Sequence, residues 1–299
     1  MSGVGRDMSV FVTGAESFVG RALVDVCDLA GIPVEGVDLA DCTSSRWGHL
    51  DIRDPALADA IPEGAVVVHL AAISRDTDCR TDPREAFDVN VNGTINVAEA
   101  SRKRSCPQIV FASSEWVYGE VDDYGTQTED QVIDGTRLKS EYAISKLVGE
   151  RLLVLGGYVD VITILRFGII YGPRSDNFSA VEALLDRGRT DGRVEVGSGR
   201  TARRFIHVTD IANGILSCIG RSGNEVFNLS GSELVSLADV VETAARLIGK
   251  DIDLVERDRS HPSIRNPDNS LALKLLDWTP RIELEAGLRT VLDHLEGDR

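Results

Sequence analysis

Tyr142 and Lys146 stand four residues apart in Tyr142-Ala143-Ile144-Ser145-Lys146. On a helix that spacing puts a phenol and an ammonium one turn apart on one face. An ammonium beside a phenol favours the phenolate, so the Tyr142 pKa is expected below its usual value of about 10. A phenol tuned in this way can move a proton to or from a hydroxyl while hydride moves on the adjoining carbon. Upstream, Ser113-Ser114-Glu115-Trp116 follows the apolar run Gln108–Ala112. A serine at the carboxyl end of a strand lies where doubly wound sheets bind ligands. Alone, a Tyr-x-x-x-Lys pair is a frequent accident of any helix, and its weight comes from its company.

That company begins near the N-terminus. Thr13-Gly14-Ala15-Glu16-Ser17-Phe18-Val19-Gly20 follows a strand-like run and opens a helical one. A glycine there lets the backbone turn tightly, and a pyrophosphate can rest on the helix N-terminus. Asp38 closes the next strand. A carboxylate at that point suits the two ribose hydroxyls of NAD and repels the 2′-phosphate of NADP. Asp51-Ile52, after a further short strand, could flank the adenine.

The elements that must position these groups alternate. Ser9–Thr13, Val34–Val37, Ala65–Leu70, Gln108–Ala112 and Asp160–Arg166 read as buried strands. Val19–Ala30, Phe87–Arg102 and Glu141–Leu155 between them have helical spacing. This rhythm implies an α/β fold with a doubly wound parallel sheet. Beyond Gly172 it loosens, and Ser236–Ile248 and Leu284–Leu295 read as amphipathic helices of a second, smaller α/β domain that binds substrate. The expected division is 1–167, with 204–229 returning to it, against 168–203 and 230–299. No internal repeat or low-complexity segment is present.

Composition narrows the function classes. Lys plus Arg total 32 against 48 for Asp plus Glu, a formal net charge of −16 over 299 residues. Such a chain is ill suited to gripping nucleic-acid phosphates or an anionic membrane surface. No apolar run approaches the roughly 20 residues of a spanning helix. Met1–Ser9 has no apolar stretch of the kind a signal peptide carries. The five cysteines are odd in number and form no Cys-x-x-Cys pair, which fits a reducing, cytoplasmic setting. His49, His69 and His207 lack metal-ligand spacing, so no metal is expected. Trp47, Trp116 and Trp278 read as packing residues.

Taken together, these segments make the chain resemble the extended short-chain dehydrogenase/reductase superfamily, in its NAD-dependent epimerase/dehydratase branch. The resemblance extends over nearly the whole sequence. It rests on the Thr13–Gly20 turn, His69-Leu70-Ala71-Ala72, Asn90-Val91-Asn92-Gly93-Thr94, Ser114 and the Tyr142/Lys146 pair. It continues through Leu165–Arg174, Gly197–Arg200, Arg203–Ala212 and Asp268–Pro280.

The resemblance implies a Rossmann-like fold and a set of roles. Tyr142 would be the acid/base. Lys146 would hold the nicotinamide ribose, and Ser114 the reacting hydroxyl or carbonyl. Gly14, Ser17, Phe18, Val19, Gly20, Asp38, Asp51, Ile52, Leu70, Ala71, Ala72, Asn90, Tyr142, Lys146 and Phe167 would line the NAD site. Ser114, Glu115, Asn177, Arg203 and Arg265 would meet the substrate, with Arg203 on the diphosphate of a nucleotide sugar. A homodimer packing the helices that carry residues 90–102 and 142–155 is the family expectation.

Four positions depart from the pattern. Ser17 replaces the middle glycine of the turn. Ile169 stands where sugar epimerases often place Asn, and Arg204 where Asp is usual. The arginine expected about ten residues before Asp268 is missing, and Arg265 is its candidate substitute. Glu115 supplies one carboxyl of the acid pair used by 4,6-dehydratases, but Trp116 occupies the other place, so elimination lacks its usual base. The favoured expectation is an NAD-dependent epimerase of a nucleotide-activated sugar that works through a transient ketone. The alternative is a net dehydrogenase or keto-sugar reductase acting on a sugar, polyol or nucleotide sugar. Third in order comes a 4,6-dehydratase, and last a non-catalytic sensor or scaffold.

Overall fold

The computed structural model describes residues 8–41, 44–121, 125–175 and 179–297. The chain divides into two compact units, and it passes between them several times. The first comprises residues 1–119, 132–166 and 212–227, and the second 120–131, 167–211 and 228–299. Two boundaries differ from the expected ones. Residues 120–131 join the second unit, because Gln127 bonds Asn266, Asp268 and Asn228 there and the Glu129 carboxylate accepts from the Asn228 amide. The return to the first unit starts at Ala212 rather than at 204. Arg204 is tied to Asn266, and Asp210 caps the backbone of Arg281 and Ile282.

The main sheet has seven strands: β1 (Val10–Thr13), β2 (Val34–Asp38), β3 (Trp47–His49), β4 (Val66–His69), β5 (Gln108–Ser114), β6 (Val161–Phe167) and β7 (Glu225–Leu229). Their spatial order is β7-β6-β5-β4-β1-β2-β3. The β1–β2, β1–β4, β2–β3 and β4–β5 pairs are parallel. Strand order reverses at β1, so the crevice at the carboxyl ends of β1 and β4 is the place where such sheets bind ligands. The strands read as unbroken apolar runs because helices cover both faces. Phe11, Val67, Ile109, Phe111 and Ile164 pack with Val97 and Leu153 of the covering helices. Each large side chain so buried contributes on the order of 1.5–3 kcal/mol.

Helix α1 (Phe18–Ala30) starts at the Ser17 cap and stops at Gly31, whose φ of 70° only glycine adopts cheaply. The run 87–102, expected as one helix, is broken. Asp88–Gly93 forms a π-helical turn before α2 (Thr94–Lys103). Such turns cluster at functional sites, and this one carries Asn90. Helix α3 (Glu141–Gly156) is capped by the Ser140 hydroxyl, which accepts from the Ala143 amide.

In the second unit, helices α4 (Ala180–Asp191), α5 (Leu237–Ile248) and α6 (Leu284–Gly297) enclose Val181, Leu185, Val240, Ala244, Leu288 and Val291. Short strands flank them: Arg193–Val196 pairs in parallel with Asp253–Glu256, and Ala202–Arg203 antiparallel with Val235–Ser236. No helix among the described residues is long and apolar enough to cross a membrane. No group of His, Cys, Asp and Glu among them could hold a metal ion.

Candidate active site

The turn after β1 is shaped by close backbone approach. Gly14 has φ of 76°, and a Cβ on it would lie 2.8 Å from the Ala71 nitrogen. A Cβ on Gly20 would lie 2.3 Å from the Gly14 oxygen. Any larger residue at either point would push the turn away from β4 and fill the cradle in front of α1. Ser17 needs no such licence, since its φ is −64°. Its hydroxyl accepts from the Gly20 amide at 3.0 Å, so the residue that replaces the middle glycine serves as the N-cap of α1. The hydroxyl proton is left for an anion at the helix N-terminus, where the dipole also favours negative charge.

Asp38 stands at the end of β2 with its carboxylate fixed. One oxygen accepts from the Glu16 amide and the other from the Ala40 amide, both at 2.9 Å. Leu70 and Ala71 donate their amides to the Thr13 carbonyl at 3.0 Å, which welds the end of β4 to the turn. Asp51 is engaged by Arg53, which also bridges Glu85 and Asp88. Ile52 is buried beneath Gly93. Phe167 ends β6 and is buried.

Residue His69 was not among the expected ligand contacts, yet it ties the site together. Thr94 Oγ1 donates to the Asn90 carbonyl at 2.7 Å, so it must accept from His69 Nε2–H at 2.9 Å. Nδ1 is then the acceptor, and it takes the Thr13 hydroxyl at 2.7 Å. Burial, followed by the Lys146 charge, pushes the His69 pKa down to about 3, so the ring stays neutral. Asn90 closes the frame: its amide binds both polar backbone groups of Ile73 and donates to Ser145 Oγ at 3.0 Å.

Ser114 ends β5, and Tyr142 and Lys146 project from the first two turns of α3. Burial drives the Tyr142 pKa up to about 12, while a hydrogen bond with Ser114 pulls it the other way. Burial also drives Lys146 down to about 8. The expected depression of the phenol by Lys146 is therefore corrected: in the protein alone, desolvation wins. The ammonium lies 5.9 Å from the centre of the Tyr142 ring and 4.9 Å from that of Phe111. One turn on, Glu150 forms a buried pair with Arg166 at 2.8 Å and accepts from Ser113 Oγ at 2.5 Å. Trp116, read from sequence as packing, sets its indole edge-on to the Tyr142 ring with centres 6.4 Å apart.

Gly14, Ser17, Phe18, Val19, Gly20, Asp38, Asn90, Ser114, Tyr142 and Lys146 all belong to the first unit. Gly14 and Gly20 leave a cradle that a Cβ would fill, and the Asp38 carboxylate is held at the end of β2 by two backbone amides. These residues fit a dinucleotide.

Residues 10–230 match the NAD dependent epimerase/dehydratase family. The chain belongs to that family. A putative UDP-glucose 4-epimerase from Methanocaldococcus jannaschii is 28% identical over 308 residues, covering 97% of this chain and 99% of its own. A UDP-glucuronate 4-epimerase from Thermodesulfobacterium geofontis is 27% identical, covering 94% of each. Among solved structures, MoeE5 in complex with UDP-glucuronic acid and NAD has a TM-score of 0.87 at 28% identity, covering 97% of this chain and 100% of its own.

The second unit holds the arginines expected to meet substrate. Arg203 donates to the carbonyls of Ala202 and Ser263 at 2.7 and 2.6 Å and to Ser263 Oγ at 2.9 Å. Arg265 is buried, and its amide bonds the Ala202 carbonyl. Arg204 is structural: it bonds Asn266 and the carbonyls of Gly231 and Ser232. Asn177 lies outside the described residues.

Proposed function

We propose that this protein epimerises a nucleotide-activated sugar, and the observation that carries the proposal is the Ser114–Tyr142–Lys146 set standing beside the cofactor turn. The two relatives named above are a putative UDP-glucose 4-epimerase and a UDP-glucuronate 4-epimerase, and MoeE5 is seen with UDP-glucuronic acid, so UDP is the nucleotide expected here. When bound, NAD supplies a two-electron acceptor that later returns what it took.

The chain's own residues do the rest. Tyr142 accepts the proton of the reacting hydroxyl as that carbon becomes a ketone, and gives it back when the ketone is reduced on its other face. Ser114 holds the same oxygen. The Lys146 ammonium favours the phenolate once a ligand has completed the site, and it binds the nicotinamide ribose. Gly14, Ser17, Phe18, Val19 and Gly20 hold the pyrophosphate and Asp38 the adenosine ribose. Leu70, Ala71, Ala72, Asn90 and Phe167 line the rest of the cleft, with Asp51 and Ile52 at the adenine. Arg203 and Arg265 are the candidates for the substrate diphosphate, with Glu115 at the sugar. The protein works as a cytoplasmic homodimer on this reading. Solvent-facing Ile144, Val154 and Leu155 on α3 support the dimer, and the free, buried Cys27, Cys79, Cys106 and Cys218 support the compartment.

The test is turnover of UDP-glucose or UDP-galactose by purified protein with no cofactor added. The 4-epimer should form without a growing near-ultraviolet band of reduced nicotinamide. Stoichiometric growth of that band would replace the epimerase reading with a net dehydrogenase.

A further inference from the structure

The short 3-10 turn Glu115–Tyr118 leaves the end of β5 directly after Ser114. The Trp116 amide donates to Ser114 Oγ at 3.3 Å, and the indole meets the Tyr142 ring edge-on. Ser114 in turn is the side chain that draws the Tyr142 phenol down against the effect of burial. The indole therefore belongs to the same small cluster as the two groups that hold the reacting oxygen. Trp116 is only partly buried, whereas Glu115 beside it is fully buried.

We infer that Trp116 is a specificity-determining residue that selects a sugar uncharged next to the reacting carbon over a uronate. The inference rests on the nucleotide-sugar reading and names the substrate class within it. In a pyranose whose reacting hydroxyl sits on Ser114 and Tyr142, the carbons bonded to the reacting one come next against the surrounding side chains. On this reading their substituents would meet Trp116, whose ring lies against Tyr142. An indole offers that neighbour a large apolar face and a single N–H donor, and no acceptor or cation. A hydroxymethyl or methyl group with its C–H bonds packs well there. At the indole a carboxylate would give up its water for one neutral donor at most, a costly exchange where the Lys146 ammonium is committed to the phenol and the nicotinamide ribose. The turn itself adds no positive charge: its members are Glu115, Trp116, Val117 and Tyr118.

The decisive experiment pairs binding with turnover. Calorimetry on the NAD-loaded protein would compare UDP-glucose with UDP-glucuronate for the natural protein and for Trp116→Thr and Trp116→Phe. The natural protein should bind UDP-glucose at least about tenfold more tightly, the Thr variant should lose most of that ratio, and the Phe variant should keep it. In turnover, Trp116→Thr should raise KM for the neutral sugar by a larger factor than it lowers kcat, because the indole packs on Tyr142 while Ser114, Tyr142 and Lys146 themselves remain. Tighter binding of the uronate by the natural protein, or a ratio that Trp116→Thr leaves unmoved, would overturn the inference. A clear binding preference with no epimerisation of either sugar would instead sink the epimerase reading and leave the selectivity of Trp116 standing.

Discussion

Two ionisable side chains one turn apart set the chemistry, and their burial sets its pH range. Lys146 falls to about 8 from 10.5, and Tyr142 rises to about 12. The rate should therefore decline above about pH 8 as the ammonium is lost, and Lys146→Met should be slow throughout and lack that limb. Stability should move the opposite way. Between about 8 and 10.5 the unfolded chain holds more protons at this lysine than the folded one, so its contribution to stability rises with pH. A pH–rate profile set beside urea midpoints over the same range checks both signs. Tyr142→Phe should cost about 10²–10⁴ in kcat with NAD content unchanged, because the phosphate turn and Asp38 are intact. Loss of the cofactor in that variant would show that the phenol holds the dinucleotide rather than the proton. Tyr142, Lys146 and Ser114 were legible in the sequence because their spacing and strand-end position have direct chemical meaning. The relay through His69 was not, since Thr13 and Thr94 are distant in sequence and only the β1–β4 pairing and the turn into α2 bring them to the ring.

The catalytic face depends on how α3 is held against the sheet. Glu150 lies two turns beyond Tyr142 on the same face, and its buried bond to Arg166 joins α3 to β6. Ser113 on β5 completes the clamp, and the Tyr118 hydroxyl accepts from Arg166 at 3.1 Å. Replacing one partner leaves the other charge buried and unpaired. Arg166→Met should therefore destabilise the fold by about 3–5 kcal/mol, while Glu150→Met with Arg166→Met should recover much of that loss. Denaturant melts of the three proteins decide it; equal losses in the single and double variants would mean that the pair contributes packing and no charge compensation. The alternation of strands and helices was readable from apolar runs and glycine punctuation. The π turn at Asp88–Gly93 was not, because helical periodicity survives a local widening, and only the Asn90 bonds to Ile73 show where the chain departs.

At the scale of the whole molecule, the fold class followed from the rhythm of its elements, and a late return of the chain to the first unit was expected, but the membership of residues 120–131 in the second was not. The segment 125–131 carries no periodic signal, and its place is fixed by bonds of Gln127 and Glu129 to Asn228, Asn266 and Asp268, which no local pattern encodes. Every residue assigned to the NAD phosphates and adenosine ribose lies in the first unit. Bound NAD should stabilise the protein by mass action, about 2.7 kcal/mol at a concentration a hundred times its Kd. NADP should not match it. Asp38 cannot swing away from a 2′-phosphate without giving up two backbone hydrogen bonds, those from Glu16 and Ala40. Two negative groups forced together at that strand end would raise the free energy of the NADP complex, by an amount that falls as salt is added. Thermal melts of protein stripped of nicotinamide should thus rise by several degrees with NAD and far less with equal NADP. Asp38→Ala should narrow that gap from both sides, weakening NAD and admitting NADP. Equal shifts with the two cofactors in the natural protein would mean that the adenosine ribose lies away from Asp38, and the assignment of β2 to cofactor choice would fall with it.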